Sequence, residues 1–219
     1  MTPIRSGMVH NAFAGSLAQT MRAVKNMSLA WFTVTGCTIL PDARSMCLAK
    51  ALAWNADKFV FIDDDISWDV ADFQFLISHP VPVCTGAYAM RKREDHEMTR
   101  VTVKFLDDNR ETNERGLIEI AACGMGFFCF TREVVEALRP HCVRMRTGMM
   151  PEDAEAHMRD WFPYGFTPTT EEGVFDRAGE DIHFCRRVRE LGFSVWFDPA
   201  IRLGHHDGAR VYKVDNLIS

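Results

Sequence analysis

Three consecutive aspartates, Asp63, Asp64 and Asp65, follow the apolar stretch KFVFI at residues 58–62. Adjacent carboxylates repel one another and are costly to remove from water, so a buried strand that ends in them usually has a cation nearby. Alternate residues of an extended chain point to the same side, so Asp63 and Asp65 can share one ion while Asp64 points elsewhere. Oxygen ligands favour Mg²⁺ or Mn²⁺, which also bind substrate phosphates. The alternative is an acidic turn that caps the next helix, near Asp69.

A second acidic pair, Glu180 and Asp181, follows Gly179 at the start of a predicted helix. Carboxylates at this position are stabilised by the free N–H groups and the helix dipole, so capping is one interpretation. The other is that Asp181 or Glu180 is a general base that faces the metal site. Because the two acids are adjacent, we expect at most one to point at a given substrate atom.

Two histidines, His205 and His206, lie between glycines in LGHHDG at residues 203–208. An imidazole is a common metal ligand, so either of them could complete the shell of the predicted ion. The glycines of CGMGF, residues 123–127, would allow a ligand to approach the backbone closely. The sequence contains no dinucleotide-binding fingerprint and no P-loop.

Length and composition predict one globular domain. The 219 residues are 47% hydrophobic, and a net charge of −5 gives no overall basic field for nucleic acid or membrane surfaces. No stretch approaches the roughly 18 apolar residues of a membrane span. Seven cysteines without a C-x-x-C pair predict buried thiols in a reducing cytoplasm, which would be the host cytoplasm if the chain is viral. Those with apolar neighbours are Cys47, Cys84, Cys123, Cys129 and Cys185.

Apolar periodicity predicts helices and strands in alternation, and therefore an α/β layer with an added hairpin. The predicted helices span residues 11–26, 42–55, 70–78, 131–139 and 180–191. The predicted strands span residues 29–35, 58–62, 81–88, 100–106, 116–121, 124–131 and 193–197.

The segment 140–178 shows few periodic signals, and a loop of that length is usually functional or mobile. It contains the aromatic residues Trp161, Phe162, Tyr164 and Phe166. Two interpretations stay open, a lid over an acceptor and a local part of the core.

The order D-x-D, GED and terminal histidine resembles the GT-A fold glycosyltransferases, in particular the short family-2-like enzymes of bacteria, phages and large viruses. The resemblance extends over nearly the whole chain, from TPIRSGMVHNAFAGSL through PDARSMCLAKAL, FVFIDDDISW, GAYAMRK and CGMGFFCFTREV to GEDIHFCRRVRELGFSVWFDPAIRLGHHDG. It implies an α/β fold of the GT-A (Rossmann-like) type, whose mixed, mostly parallel central sheet is flanked by helices. It also implies a single domain, residues 1–219, with a nucleotide-binding part at about 1–90 and an acceptor-binding part at about 91–219. The family's first strand precedes the TP element, so we expect that strand to be missing or to begin late.

The resemblance also implies a role for each matched residue. Asp181 matches the base of inverting members, and Glu180 either supports it or contacts the acceptor. Asp65 is the direct metal ligand, together with Asp63 and His206, with His205 as the alternative if the register shifts by one. The residues implied to bind the donor are Pro3, Arg44, Asp63, Asp64 and Gly124.

The implied activity is the transfer of a sugar from a nucleotide-sugar donor, a UDP-sugar, to an acceptor hydroxyl, with inversion and with Mn²⁺ or Mg²⁺ as the cofactor. The acceptor stays open between a glycan, a small molecule, a protein and a modified nucleobase, for which MRKRE (90–94) and RMR (144–146) offer local basic surface. One alternative is a haloacid-dehalogenase-like phosphatase in which Asp63 is the nucleophile and Asp65 the acid/base. Another is a catalytically inactive sugar-nucleotide-binding protein.

Overall fold

A computed structural model describes residues 1–90, 101–107 and 110–213, so the basic segment after Met90 lies outside the described residues. The strands are β1 (Thr2–Ile4), β2 (Thr33–Thr35), β3 (Lys58–Ile62), β4 (Ile66–Ser67), β5 (Val83–Gly86), β6 (Val103–Phe105), β7 (Ile118–Cys123), β8 (Phe127–Thr131), β9 (Gly165–Pro168), β10 (Phe175–Ala178), β11 (Val195–Asp198), β12 (Gly204–Asp207) and β13 (Arg210–Lys213). The helices are α1 (Asn11–Ala23), α2 (Leu40–Ala53), α3 (Val70–Ser78), α4 (Arg132–Leu138), α5 (Glu152–Glu155) and α6 (Glu180–Glu190), and Arg139–His141 form a 3₁₀ turn.

The central sheet has six strands in the order β3-β8-β5-β11-β7-β6. Strands β5 and β11 pair in parallel, whereas the other neighbouring strands of this sheet pair antiparallel. The predicted mixed α/β fold with flanking helices is therefore confirmed. The prediction of a mostly parallel sheet is wrong.

The error has a topological cause. Strands β3 and β5 run in the same direction, with α3 between them in the chain, as in the βαβ unit that alternating helices and strands predict. Strand β8, however, lies between them and is antiparallel to both. Apolar periodicity identifies a strand but not its neighbours or its direction, so the sequence could not reveal this insertion.

Met1, which directly precedes β1, is hydrogen-bonded to β3 at the edge of the central sheet. The nitrogen of Met1 donates to the carbonyl of Val60 at 2.7 Å, and the N–H of Ile62 donates to the carbonyl of Met1 at 3.1 Å. This exchange is the pattern of a parallel pairing. Strand β1 pairs in parallel with β2.

Two apolar clusters cover the two faces of the sheet. On β8, Phe128 and Phe130 belong to one cluster, together with side chains from α2, α4 and α6. Phe127 and Cys129 belong to the other, together with side chains from α1 and α3. This alternation follows from the period of two in a strand that is buried on both faces.

The predicted burial of Cys47, Cys84, Cys123, Cys129 and Cys185 is confirmed. Within the described ranges, no helix combines the length and the apolarity that crossing a bilayer requires.

The segment 140–178 is more structured than its sequence predicts, since it contains α5 and a hairpin formed by β9 and β10. Its aromatic residues fall into two groups. Trp161 and Phe162 are fully buried in the cluster that contains α6, so they are core residues. Tyr164 and Phe166 are exposed.

Candidate functional site

The three aspartates lie in a turn directly after β3. The N–H of Ile66 donates to the carbonyl of Asp63 at 3.2 Å, and the carbonyl of Asp64 accepts from the N–H of His10 at 2.8 Å. Strand β3 ends at Ile62, so the alternation of an extended strand does not determine where these carboxylates point. Asp63 and Asp65 consequently contact different partners.

Asp63 is paired with a buried arginine. Arg44 of α2 is only 3% exposed, and its Nη2 lies 3.1 Å from Oδ1 of Asp63. Its Nε lies 3.4 Å from Oε1 of Glu180, and its Nη1 donates to the carbonyl of Met125 at 3.4 Å. Arg44, implied by the resemblance to contact the nucleotide, thus links α2, the end of β3 and the first turn of α6.

The surroundings of Arg44 set the charge of this cluster. Burial raises the pKa of Asp63, the Arg44 guanidinium opposes this rise, and the carboxylates of Asp65 and Asp181 add to it. Burial also raises the pKa of Glu180, again opposed by Arg44 and reinforced by Asp181. Asp181 therefore lies close enough to Asp63 and Glu180 for its charge to raise the pKa of each. Its Oδ1 accepts from the N–H of Ile182 at 2.7 Å, within the first turn of α6.

Asp65 faces His205. The Nε2 of His205 lies 3.5 Å from Oδ2 of Asp65, and its Nδ1 lies 2.7 Å from the carbonyl of Ala89. A carbonyl can only accept, so Nδ1 carries a proton and Nε2 is the atom that faces the carboxylate, as an acceptor in the neutral ring and as a donor in the charged ring. Two acceptors that face each other need a proton or a cation between them. A backbone carbonyl that fixes the tautomer in this way is typical of metal-binding histidines.

His206 points to the other side of β12. Its Nε2 lies 2.8 Å from Oγ of Ser67, and its ring stacks on that of His10 with centroids 4.3 Å apart. Burial lowers the pKa of His206, and the neighbouring His10 lowers it further. Strand β12 pairs with β4, and these contacts hold the two strands together. The Nε2 of His205 thus contacts the Asp65 carboxylate and that of His206 contacts Ser67, although the Asp65 carboxylate is close enough to His206 to oppose the lowering of its pKa.

The glycines between β7 and β8 make room for a tyrosine. A Cβ on Gly126 would lie 2.5 Å from Cζ of Tyr88, and one on Gly124 would lie 2.6 Å from its hydroxyl oxygen. The same hydroxyl accepts from the N–H of Gly126 at 3.1 Å. At Gly124 the sequence predicts the close approach of a ligand, but in the structure the buried side chain of Tyr88 makes this approach. Pro3, another implied donor contact, is buried in β1 opposite Val34.

Sequence reasoning missed His10, Ser67 and Tyr88. A signal existed for His10, because it directly precedes α1 and its Nδ1 accepts from the N–H of Ala12 as a helix cap. The Nε2 of His10 also lies 2.9 Å from the carbonyl of Gly208, and this contact joins α1 to the turn between β12 and β13. His10 and His206 are distant in the sequence, so no local pattern indicated that their rings stack.

In the part of the chain that the structure describes, no three His, Cys, Asp or Glu side chains form a ready group of metal ligands. Mg²⁺ and Mn²⁺ commonly take one or two protein ligands and complete their shell with water and substrate phosphate. The Asp65 carboxylate and the oriented imidazole of His205 fit such a partial shell.

Comparisons with known proteins show a shared fold. No protein-family model matches the chain, and no curated protein matches it. Among solved structures, the chain is similar to the crystal structure of the protein A197 from STIV, with a TM-score of 0.55 and 12% sequence identity. The alignment covers 100% of this chain and 94% of that one. At this identity the likeness extends to the fold alone.

Proposed function

We propose that this protein is a metal-dependent glycosyltransferase of the GT-A type, which transfers a sugar from a nucleotide-sugar donor to an acceptor hydroxyl. The observation that supports this most directly is the pairing of Asp65 with His205 at the end of β3, with the His205 tautomer held by the carbonyl of Ala89. The resemblance of the whole chain to GT-A enzymes, with the order D-x-D, GED and histidine, adds the reaction class and the UDP-sugar donor.

On the donor side, Asp65 and His205 hold Mn²⁺ or Mg²⁺. The bound ion supplies positive charge where the diphosphate leaving group becomes more negative. Asp63 is held in place by Arg44 and adds negative charge beside the ion site. In this proposal, residues 1–90 bind the donor, with Asp64 near the nucleoside, and residues 91–219 bind the acceptor, all within one domain.

On the acceptor side, Asp181 is the general base. Glu180 is engaged by the buried guanidinium of Arg44, whereas Asp181 lies half-buried at the surface of the same helical turn. Removal of the acceptor proton by Asp181 during attack from the face opposite the diphosphate gives inversion. Such assistance is typically worth about 10²–10⁴-fold in rate.

A thermal-shift panel with nucleotides tests the donor site. UDP with Mn²⁺ should stabilise the protein, by about 2.7 kcal/mol when the ligand is present at 100 times its Kd, and EDTA should remove the effect. Asp65→Asn should abolish this stabilisation. Asp207→Asn, an exposed aspartate on β12, is the matched control and should retain it.

The same panel separates the alternatives. Stabilisation by fluoroberyllate with Mg²⁺ in the absence of a UDP effect would favour the phosphatase and contradict the transferase. Stabilisation by UDP and Mn²⁺, with no release of sugar from any UDP-sugar and no transfer to any acceptor, would identify a sugar-nucleotide-binding protein without catalysis.

A further inference from the structure

The hairpin of β9 and β10 has one face fixed against α6. Gly165 lies directly under the ring of His183, where any side chain would overlap the imidazole. The Oγ1 of Thr167, two residues along the same face, accepts from Nη1 of Arg186 at 2.9 Å. The inner face of the hairpin is therefore seated on the helix that begins with Glu180 and Asp181.

The tip of the hairpin is closed by its own hydrogen bonds. The N–H of Thr169 donates to the carbonyl of Val174 at 3.0 Å, and the N–H of Val174 donates to the carbonyl of Glu171 at 3.2 Å. Gly173 has a φ of +77°, which a side chain rarely tolerates. The hairpin is thus a formed structural element that can present side chains in a defined arrangement.

The outer face of the hairpin carries exposed aromatic rings. Phe166 pairs across the strands with Arg177, and Phe175 pairs with Pro168, so all four side chains lie on one face. Phe166 is 64% exposed and Phe175 is 55% exposed. The Cζ of Arg177 lies 4.0 Å from the ring centroid of Tyr164 and fixes that ring beside them. We call these five residues the aromatic platform.

The charge around the platform restricts its partner. Glu171 and Glu172 lie at the tip of the hairpin, and Arg177 is the one cation of the platform. Phosphate-rich partners such as nucleic acids or anionic membranes need the opposite sign. A neutral carbohydrate fits both features, because the apolar C–H face of a sugar ring packs on an aromatic ring and its hydroxyl groups bond to flanking polar side chains.

The platform also lies close to the proposed base. Strand β10 leads directly into α6, and the six residue steps from Phe175 to Asp181 span at most about 22 Å even when fully extended. We propose that the aromatic platform binds the neutral glycan that serves as acceptor, an assignment that rests on the proposed transferase function. A glycan chain on the platform presents its terminal hydroxyl towards Asp181.

Glycan binding without any donor tests the platform independently of catalysis. We would titrate the full chain with cellotetraose, maltotetraose, mannotetraose and chitotetraose, and follow the aromatic ¹³C–¹H signals of Phe166 and Phe175 by NMR. We expect at least one tetrasaccharide to shift both rings, and Phe166→Ala/Phe175→Ala to weaken that binding at least tenfold. Phe75→Ala on α3 removes a ring with a matched exposure of 52% and should change nothing.

Three results would overturn the platform proposal. In the first, no tetrasaccharide shifts either ring. In the second, binding persists in the double variant. In the third, the wild type self-associates in sedimentation experiments and the double variant does not, so that the face joins two copies of the chain. Because both rings are exposed, the double variant should keep the wild-type melting temperature, which excludes misfolding as a cause.

The thermal-shift assay with UDP and Mn²⁺ distinguishes failure of the platform proposal from failure of the transferase proposal. Stabilisation by UDP and Mn²⁺ without glycan binding at the platform would leave a transferase whose acceptor binds elsewhere or belongs to another class. Glycan binding at the platform without any effect of UDP and Mn²⁺ would leave a carbohydrate-binding protein. A (dT)₁₂ oligonucleotide, added as the anionic probe, should cause no shift of Phe166 or Phe175.

Discussion

The Nε2 atom of His205 lies 3.5 Å from the Oδ2 atom of Asp65, although most of the chain separates the two residues. The pairing of β12 with β4, in which His205 is opposite Ile66, brings them together. His206 points to the opposite side of β12, where it contacts Ser67 and His10. The two adjacent histidines therefore make different contacts.

We expect His205→Ala to lose Mn²⁺-dependent binding of UDP, and also some stability, because its ring bonds to the carbonyl of Ala89 and contacts Tyr88. His206→Ala should retain the binding of Mn²⁺ and UDP but lower the free energy of unfolding by about 1–2 kcal/mol, because it removes a hydrogen bond and a ring contact in a largely buried site. Urea unfolding and calorimetric titration with Mn²⁺ and UDP measure the two effects. The opposite pattern, a stable His206→Ala protein without metal affinity, would assign the ligand to His206.

Replacement of Arg44 should be among the most damaging single substitutions. Arg44→Met leaves Asp63 and Glu180 near each other without their buried cation, which typically costs about 3–5 kcal/mol. Arg22→Met, on the exposed side of α1, is the control. It should change the free energy of unfolding by no more than about 0.5 kcal/mol, the usual limit for surface positions. Urea denaturation of both variants tests this, and a loss below about 1 kcal/mol for Arg44→Met would contradict a structural role.

The two acids at the start of α6 should differ in their kinetic effects. Asp181→Asn should lower kcat by about 10²–10⁴-fold while the KM for the donor changes little, because a base acts on the acceptor in the transition state. Glu180→Gln removes a partner of Arg44 and should mainly reduce stability. Steady-state kinetics with a UDP-sugar and its acceptor decide between them. Equal loss of kcat in both variants would argue against Asp181 as the only base.

Acid should destabilise the packing of the hairpin on α6. Burial lowers the pKa of His183, and the cation of Arg187 lowers it further, so the folded state binds a proton less readily than the unfolded chain. Stability rises with pH wherever the unfolded chain binds more protons than the folded one. The stability that neutral His183 contributes is therefore fully present above about pH 6.5, the ordinary histidine pKa, and is lost as the pH falls below that value. Urea unfolding at pH 7.5 and 5.5 should show a smaller loss for His183→Gln than for wild type. His141→Gln, an exposed histidine, should behave as wild type.

The local elements of this fold could be predicted from the sequence. Strand β3 and helix α3 have the predicted bounds, residues 58–62 and 70–78, because apolar periodicity and the aspartates at Asp63 and Asp69 mark them locally. Helix α6 begins at Glu180, directly after Gly179. These features depend on interactions within a few residues, which a single sequence records.

The arrangement of the site depends on contacts between distant residues and was only partly predictable. The Asp63–Arg44–Glu180 cluster joins three elements, and its burial has no local signal. The choice between His205 and His206 requires the register of β12 against β4. The β9–β10 hairpin has alternating exposed rings, but its threonines, prolines and acidic residues resemble a loop. The position of β8 between β3 and β5 likewise follows from packing of the whole sheet.

The most direct test of the central claim is a crystal structure with UDP and Mn²⁺, with anomalous data collected at the manganese edge. We predict an anomalous peak at bonding distance from both Oδ2 of Asp65 and Nε2 of His205, with the diphosphate on the open side of the ion. Bound UDP with no manganese between these two atoms, or manganese held by other side chains, would contradict the assignment of this site and of the proposed transferase.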